Sequence, residues 1–519
     1  MVGHALAPVN LTIDHPQCDE NWPRCGNCTR SNQECSGPPK GVKFVQNNCH
    51  SARGNSRLSN SPVPRSQAPS PCGTLVDVKL QSTADGTGTF HQMKIIRDVS
   101  GRPREITPTS EEKLAAKLAQ AMAASETSGH GNALVLSREV LGLMAARISE
   151  SSALSDALGC LLATFGNLKR ALPFQDLIDL HTYGKALKSL QKSLKDPAQQ
   201  LSTATLAALT VLYQIEVAYD SSKGPNKAFH CGSIYTMMYT RGPPSLEDSL
   251  DVHLACENQQ PMLSYCLLSG EENFYATPEW IWTLQTALGS GLVASPALTS
   301  LYSLNMTITT WPYLASLCRT LQHDSLNPYA AEVAMELINT ANSLALALQT
   351  FYDTSITPLI ATGDIYYIPS PDSEEEEDGT LEFSSFTLAQ VFTTHAMASI
   401  AANGILRSTM EFCGPVDSTA FDIQNREWTS RLLRCVAYAA RQKDSFLVPG
   451  LVMACGVAES DSGRKTLVKA LREVEKWKYP CEKGLRGRWC EKNVLQMGLV
   501  LSGRGMFATG EGGAVEFWG

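Results

Sequence analysis

The sequence predicts an all-α protein, with a large domain of stacked antiparallel helices preceded by a small cysteine-rich module and a linker. Apolar residues recur at helical spacing from Thr109 almost to the C-terminus. Strand-like alternation is nearly absent after Asp98. Of the 519 residues, 43% are hydrophobic, which is enough for a large buried core. These patterns place the domain boundaries at residues 1–35, 36–108 and 109–519.

The composition excludes several classes of protein. A net charge of −8 argues against a protein that coats nucleic acid along its length, so any contact with DNA must be local. Sixteen cysteines in so long a chain do not indicate a disulfide scaffold. No run approaches the roughly 18 apolar residues of a membrane span. We therefore expect a soluble intracellular protein that has no membrane partner.

The first module centres on four closely spaced cysteines. Cys18, Cys25, Cys28 and Cys35 follow the spacing C-x6-C-x2-C-x6-C, with Pro23 in the first interval. Two thiolates separated by two residues can reach one zinc ion from a single turn, so this spacing predicts a metal site made by the four cysteines. The alternative is a cysteine-rich loop of free thiols.

This stretch resembles the second half of the fungal zinc binuclear-cluster motif, in which six cysteines hold two zinc ions. The family's first two cysteines would stand at Pro8 and Leu11, and its basic DNA-reading helix would occupy residues 12–17, where this sequence has no Lys or Arg. The resemblance implies zinc as cofactor, and we expect one ion or none here because the motif is incomplete. Either the natural first segment is missing from this sequence, or the chain no longer reads DNA by the family's usual route.

Residues 36–108 are rich in Ser, Asn, Pro and Gly, and we predict a mostly disordered linker there. Two alternating stretches, residues 74–80 and 90–98, are compatible with a short hairpin. The resemblance also implies a basic segment that follows DNA phosphates, whereas the alternative is an ordinary solvated linker. The candidates for phosphate contact in and after the module are Arg24, Arg30, Lys40 and Lys43.

The helical domain begins at Thr109-Ser-Glu-Glu112, which has the pattern of a capping box. A first predicted helix runs behind it, and others follow with little interruption. The later helices are predicted over residues 133–149, 155–168, 176–194, 203–219, 228–239, 247–256, 262–268, 298–321, 329–352, 386–406, 428–441, 445–455, 463–477 and 491–501.

Short motifs within this domain are similar to those of the fungus-specific transcription-factor regulatory domain that accompanies such zinc clusters. In order, they are Tyr183-Gly-Lys-Ala-Leu187-Lys-Ser-Leu190, the apolar helix that ends in Tyr213 and Glu216, His230-Cys-Gly232 with Arg241-Gly242-Pro243, and Phe274-Tyr-Ala-Thr-Pro278-Glu-Trp280. As residues, they indicate packing rather than chemistry. We expect His230 to be a hydrogen-bonded core histidine beside a close helix contact, and Arg241-Gly242-Pro243 to end a helix. The co-occurrence of the two motifs in the family implies that Glu216 is buried and paired with an Arg, with Arg241 as the candidate.

Two further groups of residues are open to more than one interpretation. The acidic run over residues 370–379 is predicted to be a solvated loop, and the alternative is an activation patch supported by Leu381, Phe383 and Phe386. Cys481 and Cys490 are expected to be surface thiols in a turn. Eight other cysteines lie in apolar helical contexts and are predicted to be buried thiols: Cys160, Cys231, Cys256, Cys266, Cys318, Cys413, Cys435 and Cys455.

The resemblance implies an RNA polymerase II sequence-specific transcription regulator located in the nucleus. Its expected partners are DNA, the transcription machinery or co-regulators, and a second copy of the chain. The alternative is a co-regulator without DNA binding that acts through protein contacts of its helical domain. An all-helical enzyme ranks third, because the sequence has no nucleophile elbow, P-loop or His-Glu-x-x-His motif. We therefore predict that the chain is not an enzyme.

Overall fold

The computed structural model of this protein describes residues 108–127, 133–220, 226–323, 328–369, 379–479 and 482–505. The chain divides into two compact units, Met1–Pro108 and Thr109–Gly519. The predicted cysteine-rich module, linker and hairpin lie outside the described residues. Within the described part, the all-α prediction is confirmed, because helix follows helix and the strands form a single two-stranded sheet. None of the described helices is both long and apolar enough to span a membrane.

The predicted capping box is present at the first helix. The Thr109 N–H donates to Glu112 Oε2 over 2.8 Å, and the Glu112 N–H donates to Thr109 Oγ1 over 3.1 Å. This first helix is α1 (Ser110–Thr127). The helices that follow it in the first part of the unit are α2 (Arg138–Ala146), α3 (Ser152–Lys169), α4 (Leu180–Lys195), α5 (Thr203–Tyr219), α6 (Asn226–Arg241), α7 (Ser249–Glu257) and α8 (Gln259–Ser269).

The middle of the unit contains a small hairpin that the sequence patterns did not indicate. The elements are α9 (Pro278–Gly289), α10 (Pro296–Thr307), α11 (Trp311–His323), α12 (Ala330–Phe351) continued by a π-helical turn (Tyr352–Ile356), α13 (Thr357–Ala361), and strands β1 (Ile365–Pro369) and β2 (Gly379–Phe383). The strands pair antiparallel, with Ile365 opposite Phe383. The expectation that strands are almost absent after Asp98 therefore missed this pair, which is held by Ile365 and Phe383 packing into the helical core.

The last part of the unit is organised around one long central helix. The elements are α14 (Phe386–Cys413), α15 (Thr419–Arg434), α16 (Val436–Gln442), α17 (Val448–Val457), α18 (Asp461–Glu475), α19 (Glu482–Arg488) and α20 (Glu491–Leu501). Helix α14 is buried around most of its circumference and packs against α10, α11, α12, α15 and α17. A helix that is apolar on all sides is typical of the centre of a large domain.

Prolines explain two of the differences from the predicted helices. The predicted helix over residues 298–321 is two helices, because the chain turns at Ile308 and restarts with Pro312 near the beginning of α11. Helix α9 was not predicted, although Pro278 at its first position and Thr277 before it are ordinary start signals. By contrast, α5 and α20 have the predicted limits.

Candidate functional site

The residues predicted to bind metal and phosphate are not placed by the structure. Cys18, Cys25, Cys28 and Cys35 lie outside the described residues, as do Arg24, Arg30, Lys40 and Lys43. Among the residues that are described, no group of three or more His, Cys, Asp or Glu side chains is arranged to hold a metal ion. The candidate site described below consists of the motif residues of the helical unit.

A buried polar cluster joins α4, α5 and α6. Glu216, near the end of α5, is 1% exposed, and its Oε2 lies 2.8 Å from Nδ1 of His230 on α6. The Tyr183 hydroxyl, from α4, donates to the other carboxylate oxygen. Burial raises the pKa of Tyr183 well above its usual value, and the neighbouring Glu216 raises it further. The phenol therefore stays protonated and remains a donor.

The prediction that Glu216 pairs with Arg241 is wrong. Arg241 instead pairs with Asp251 on α7, with Nη2 2.5 Å from Oδ1. On α6, Arg241 comes eleven residues, about three helical turns, after His230. The side chain that α6 presents to Glu216 is therefore His230, and Arg241 is too far along the helix. The prediction that His230 lies in the core is confirmed, because its side chain is only 7% exposed.

Arg241 belongs to a second polar network that connects four helices. Its Nη2 also donates to Thr203 Oγ1 over 3.3 Å, and Thr203 Oγ1 donates to Asp248 Oδ2 over 3.1 Å. Arg147, just after α2, donates to both oxygens of Asp248 over 2.7 Å. Burial opposes ionisation of Asp248, but the hydrogen bond from Arg147 helps to hold its pKa below the usual value. This network ties the starts of α5 and α7 to the ends of α2 and α6.

The role predicted for Arg241-Gly242-Pro243 is confirmed. Helix α6 ends at Arg241, and Gly242 has a φ of 77°, in the left-handed region that favours glycine. Sequence reasoning did not identify Arg147, Asp248 or Asp251. The available signal was local: Asp248 precedes an apolar run, and it caps α7 by accepting hydrogen bonds from the backbone of Leu250 and Asp251.

An aromatic cluster surrounds the fourth motif, the stretch from Phe274 to Trp280. The rings of Phe274 and Trp280 lie 4.8 Å apart between centroids, and Tyr275 lies 4.8 Å from both. Tyr235 of α6 lies 5.4 Å from Phe274. The Tyr275 hydroxyl donates to the Ala255 carbonyl over 2.5 Å, so this ring also joins α7. Ring packing within this cluster therefore accounts for the Phe274 and Trp280 of the motif.

The helix contact predicted next to His230 is present at Gly232, but it is not unusually short. A Cβ built on Gly232 would lie 3.4 Å from the Tyr265 ring of α8, which is ordinary van der Waals distance. A larger side chain at this position would displace the ring. The spacing of α6 and α8 at this point is therefore compatible with a Cβ at position 232.

The polar cluster contains a carboxylate and an imidazole, as an acid–base site would, but a substrate could not reach them. A general base must come within hydrogen-bond reach of its substrate, and the side chains of Glu216 and His230 are 2% and 7% exposed. The cavities found near the motif residues do not open onto this pair. One is a shallow depression of about 460 Å³ over Pro278, Glu279, Trp282 and Thr283. The other, beside Arg241 and Asp251, has a volume of only about 10 Å³. The arrangement supports a packing role.

Most of the cysteine predictions are confirmed. Seven of the eight cysteines predicted to be buried are buried free thiols, and burial raises the pKa of Cys160 to about 11 and that of Cys231 to about 12. The exception is Cys413, which is exposed because it stands at the last turn of α14, beyond the neighbouring helices. Cys490 is half-buried at the start of α20, and Cys481 lies outside the described residues.

The acidic run is connected to the hairpin. Residues 370–378 lie outside the described residues, but the strands on either side are described and paired. Phe383 packs on Phe392 and Tyr438, at 5.7 and 5.1 Å between ring centroids. Phe386 packs on Phe446 at 5.2 Å. The rings that favoured an activation patch are thus engaged inside the helical unit.

Comparison with known proteins adds no relative to this picture. No family model, no curated protein and no solved structure matches the chain.

Proposed function

We propose that this chain is an RNA polymerase II transcription regulator of the fungal zinc-cluster class, located in the nucleus, with the helical unit as its regulatory domain. The observation that carries the proposal is the convergence of the motif residues. Tyr183, Glu216 and His230 are separated by up to 47 positions in the sequence and form one buried cluster. This packing role is what the resemblance to the regulatory domain implies for these residues.

The N-terminal cysteines supply the second part of the proposal. Cys18, Cys25, Cys28 and Cys35 would hold zinc as thiolates, and a bound ion would organise a segment too short to have its own core. Arg24, Arg30, Lys40 and Lys43 would contact phosphate. Because the whole chain is acidic, with a net charge of −8, these contacts would be local and sensitive to salt.

A reporter assay tests the transcriptional role. The full chain is fused to an unrelated DNA-binding domain and tethered at a reporter promoter. We expect transcription to change relative to the DNA-binding domain alone, whether the chain acts as a DNA-binding regulator or as a co-regulator. Unchanged output would contradict both. Such a result would return attention to the all-helical enzyme.

A gel-shift assay with zinc analysis separates the two regulatory roles. For the purified full chain we expect one zinc ion or none and no specific shift on a CGG-containing site, because residues 12–17 contain no Lys or Arg. The double variant Cys25→Ser/Cys28→Ser should lose any zinc, whereas Cys413→Ser, at an exposed thiol, should keep it. A salt-resistant, CGG-specific shift or two bound zinc ions would contradict this expectation and favour the DNA-binding role.

A further inference from the structure

Helix α4 carries a row of lysines along its exposed side. The row, called here the α4 lysine row, consists of Lys185, Lys188, Lys192 and Lys195. All four are exposed, whereas Ala186 and Leu190 on the opposite side of the helix are buried. At 3.6 residues per turn, the four positions fall within an arc of about 80° and extend over about 15 Å of the helix. The lysines therefore form one continuous basic strip.

Acidic residues do little to balance this row. Helix α4 contains no Asp or Glu, although the net charge of the chain is −8, and no other described helix has so large an excess of basic residues. Lys185 pairs with Asp156 on α3 over 2.8 Å, and its side chain is still 67% exposed. In the part of the chain that the structure describes, no carboxylate forms an ion pair with the other three lysines.

The stability of the helix accounts for only part of this arrangement. The C-terminal end of a helix dipole favours nearby cations, which explains Lys192 and Lys195 in the last turn of α4. It does not explain Lys185 and Lys188, which lie farther from that end. Like charges three or four residues apart repel each other on a helix. The row therefore works against the stability of α4, which indicates that it serves an anionic partner.

The composition of the row favours nucleic acid over a protein partner. From Lys185 to Lys195, every exposed residue is a lysine, so the row offers no exposed aromatic or apolar anchor of the kind that protein interfaces use. Lysine is depleted in protein–protein interfaces, whereas interfaces with nucleic acid are strongly positive. Its ammonium group is a point charge that suits phosphate and does not by itself distinguish bases.

The packing of α4 argues against a membrane surface. A helix that lies on a membrane buries its apolar side in lipid. Here α4 packs against α3 and α5, and Ala186 and Leu190 are buried within the helical unit. Duplex DNA requires no free apolar side. It carries about one phosphate charge per 1.7 Å of its axis, so a 15 Å length presents about nine phosphates to the four lysines.

We propose that the α4 lysine row is a separate binding site for the phosphates of duplex DNA, which it contacts without regard to base sequence. The inference goes beyond the proposed function, which assigns phosphate contact only to residues near the N-terminus. It does not depend on the zinc site, because the row belongs to the helical unit Thr109–Gly519.

Fluorescence anisotropy of a labelled duplex with the full chain, measured over a range of salt concentrations, tests the proposal. Each phosphate contact contributes about 0.9 to the slope of log affinity against log salt concentration. The triple variant Lys188→Gln/Lys192→Gln/Lys195→Gln should therefore reduce that slope by about 2.7 and weaken binding at about 50 mM salt at least about tenfold. The loss should be the same on two unrelated DNA sequences, because phosphate contacts carry no sequence information.

The matched control is Lys465→Gln/Lys469→Gln/Lys476→Gln, which changes the net charge by the same amount. These lysines are exposed on α18 or directly after it, where Glu473 on the same side interrupts them. The control should keep the affinity and the slope of the wild type. Replacing the same three row lysines by Arg keeps their charge and should also preserve binding. Circular dichroism should show the same helix content for all variants, since all six positions are exposed.

Three results would overturn the proposal. The row variant could bind DNA with the affinity and slope of the wild type. The row variant and the control could lose affinity equally, which would be a general effect of net charge. The row could bind vesicles of anionic lipid or a poly-glutamate peptide more tightly than DNA at the same salt concentration.

The same comparison in a Cys25→Ser/Cys28→Ser background separates this site from the proposed zinc site. The difference between the row variant and the control should persist there, because the lysines lie outside the cysteine segment. A difference that disappears with the two cysteines would overturn the independence of the row. A difference that persists supports the row even if the proposed function fails its own tests.

Discussion

Glu216 illustrates how single residues hold this core together. A buried carboxylate is costly unless its oxygens have partners. Here Tyr183 from α4 and His230 from α6 each reach one oxygen, so three helices meet at one side chain. Removing Tyr183 leaves Glu216 Oε1 buried without this hydrogen bond, which typically costs about 1–3 kcal/mol. The motif residues thus act as a set.

A second buried histidine predicts how stability depends on pH. His395 on α14 packs against the rings of Tyr352 and Trp428, and its Nε2 is 2.8 Å from the Leu348 carbonyl, so Nε2–H donates. Burial, together with a smaller effect of the Arg431 charge, lowers the pKa of His395 to about 4 from an ordinary 6.5, although the hydrogen bond to Leu348 acts in the opposite direction. Between these two pH values the unfolded chain binds more protons than the folded chain. Stability should therefore be lost as the pH falls from 6.5 to 4, by up to about 3 kcal/mol.

Urea unfolding of wild type and His395→Phe across this pH range measures the effect. The variant has no imidazole to protonate, so its loss of stability on acidification should be smaller than that of wild type. Equal pH dependence of the two proteins would mean that His395 does not cause the loss. His181→Phe, at an exposed position on α4, is the control and should behave like wild type.

Close packing between helices depends on two glycines. A Cβ on Gly498 of α20 would lie 2.5 Å from the Val452 carbonyl oxygen and 2.7 Å from the backbone nitrogen of Gly456, on α17. Real side chains do not approach backbone atoms so closely. The two helices therefore touch backbone to backbone, and α20 can be held against α17 only while both positions lack a side chain.

Gly498→Ala should consequently destabilise the helical unit. Because the new methyl group meets backbone that cannot move aside easily, we expect a loss of about 1–3 kcal/mol in unfolding free energy. Gly159→Ala is the matched control. Gly159 is inside α3 with no atom within 4 Å of a built Cβ, so the change should be neutral or stabilise by up to about 1 kcal/mol. Equal stability of the two variants in urea unfolding would refute the backbone contact.

The helical unit carries its acidic run on a small hairpin that is anchored in the core. Ile365 and Phe383, which face each other across the strands, are 1% and 7% exposed. Arg441 of α16 pairs with Glu382 of β2. The whole molecule can thus accept a strongly charged segment at this point, because the strands on either side are held independently of it.

Replacing the acidic residues should therefore leave both fold and output unchanged. Changing all six acidic residues of segment 372–378 to Ser or Asn keeps the length of the connection and shifts the net charge from −8 to −2. The thermal midpoint should move by less than about 2 °C. The tethered reporter should keep its output, since the Phe383 ring is buried against Tyr438 and the Phe386 ring packs on Phe446. A fall in output without loss of folding would support the activation patch instead.

Features that depend on a few neighbouring residues could be predicted from the sequence. These include the helical periodicity, the capping box at Thr109, the helix end at Gly242 and the limits of α5 and α20. Each depends on contacts within about one helical turn, which the local order of residues determines. The spacing of the N-terminal cysteines is likewise a local signal, and it stays a prediction.

Only the tertiary structure decided which side chains meet. The sequence indicated that Glu216 would be buried, but its partners are His230 and Tyr183 rather than Arg241, because a partner is chosen by the rotation and height of the neighbouring helices. The exposure of Cys413 is of the same kind. Local patterns specify that a helix forms and which face is apolar, whereas long-range packing determines what that face contacts.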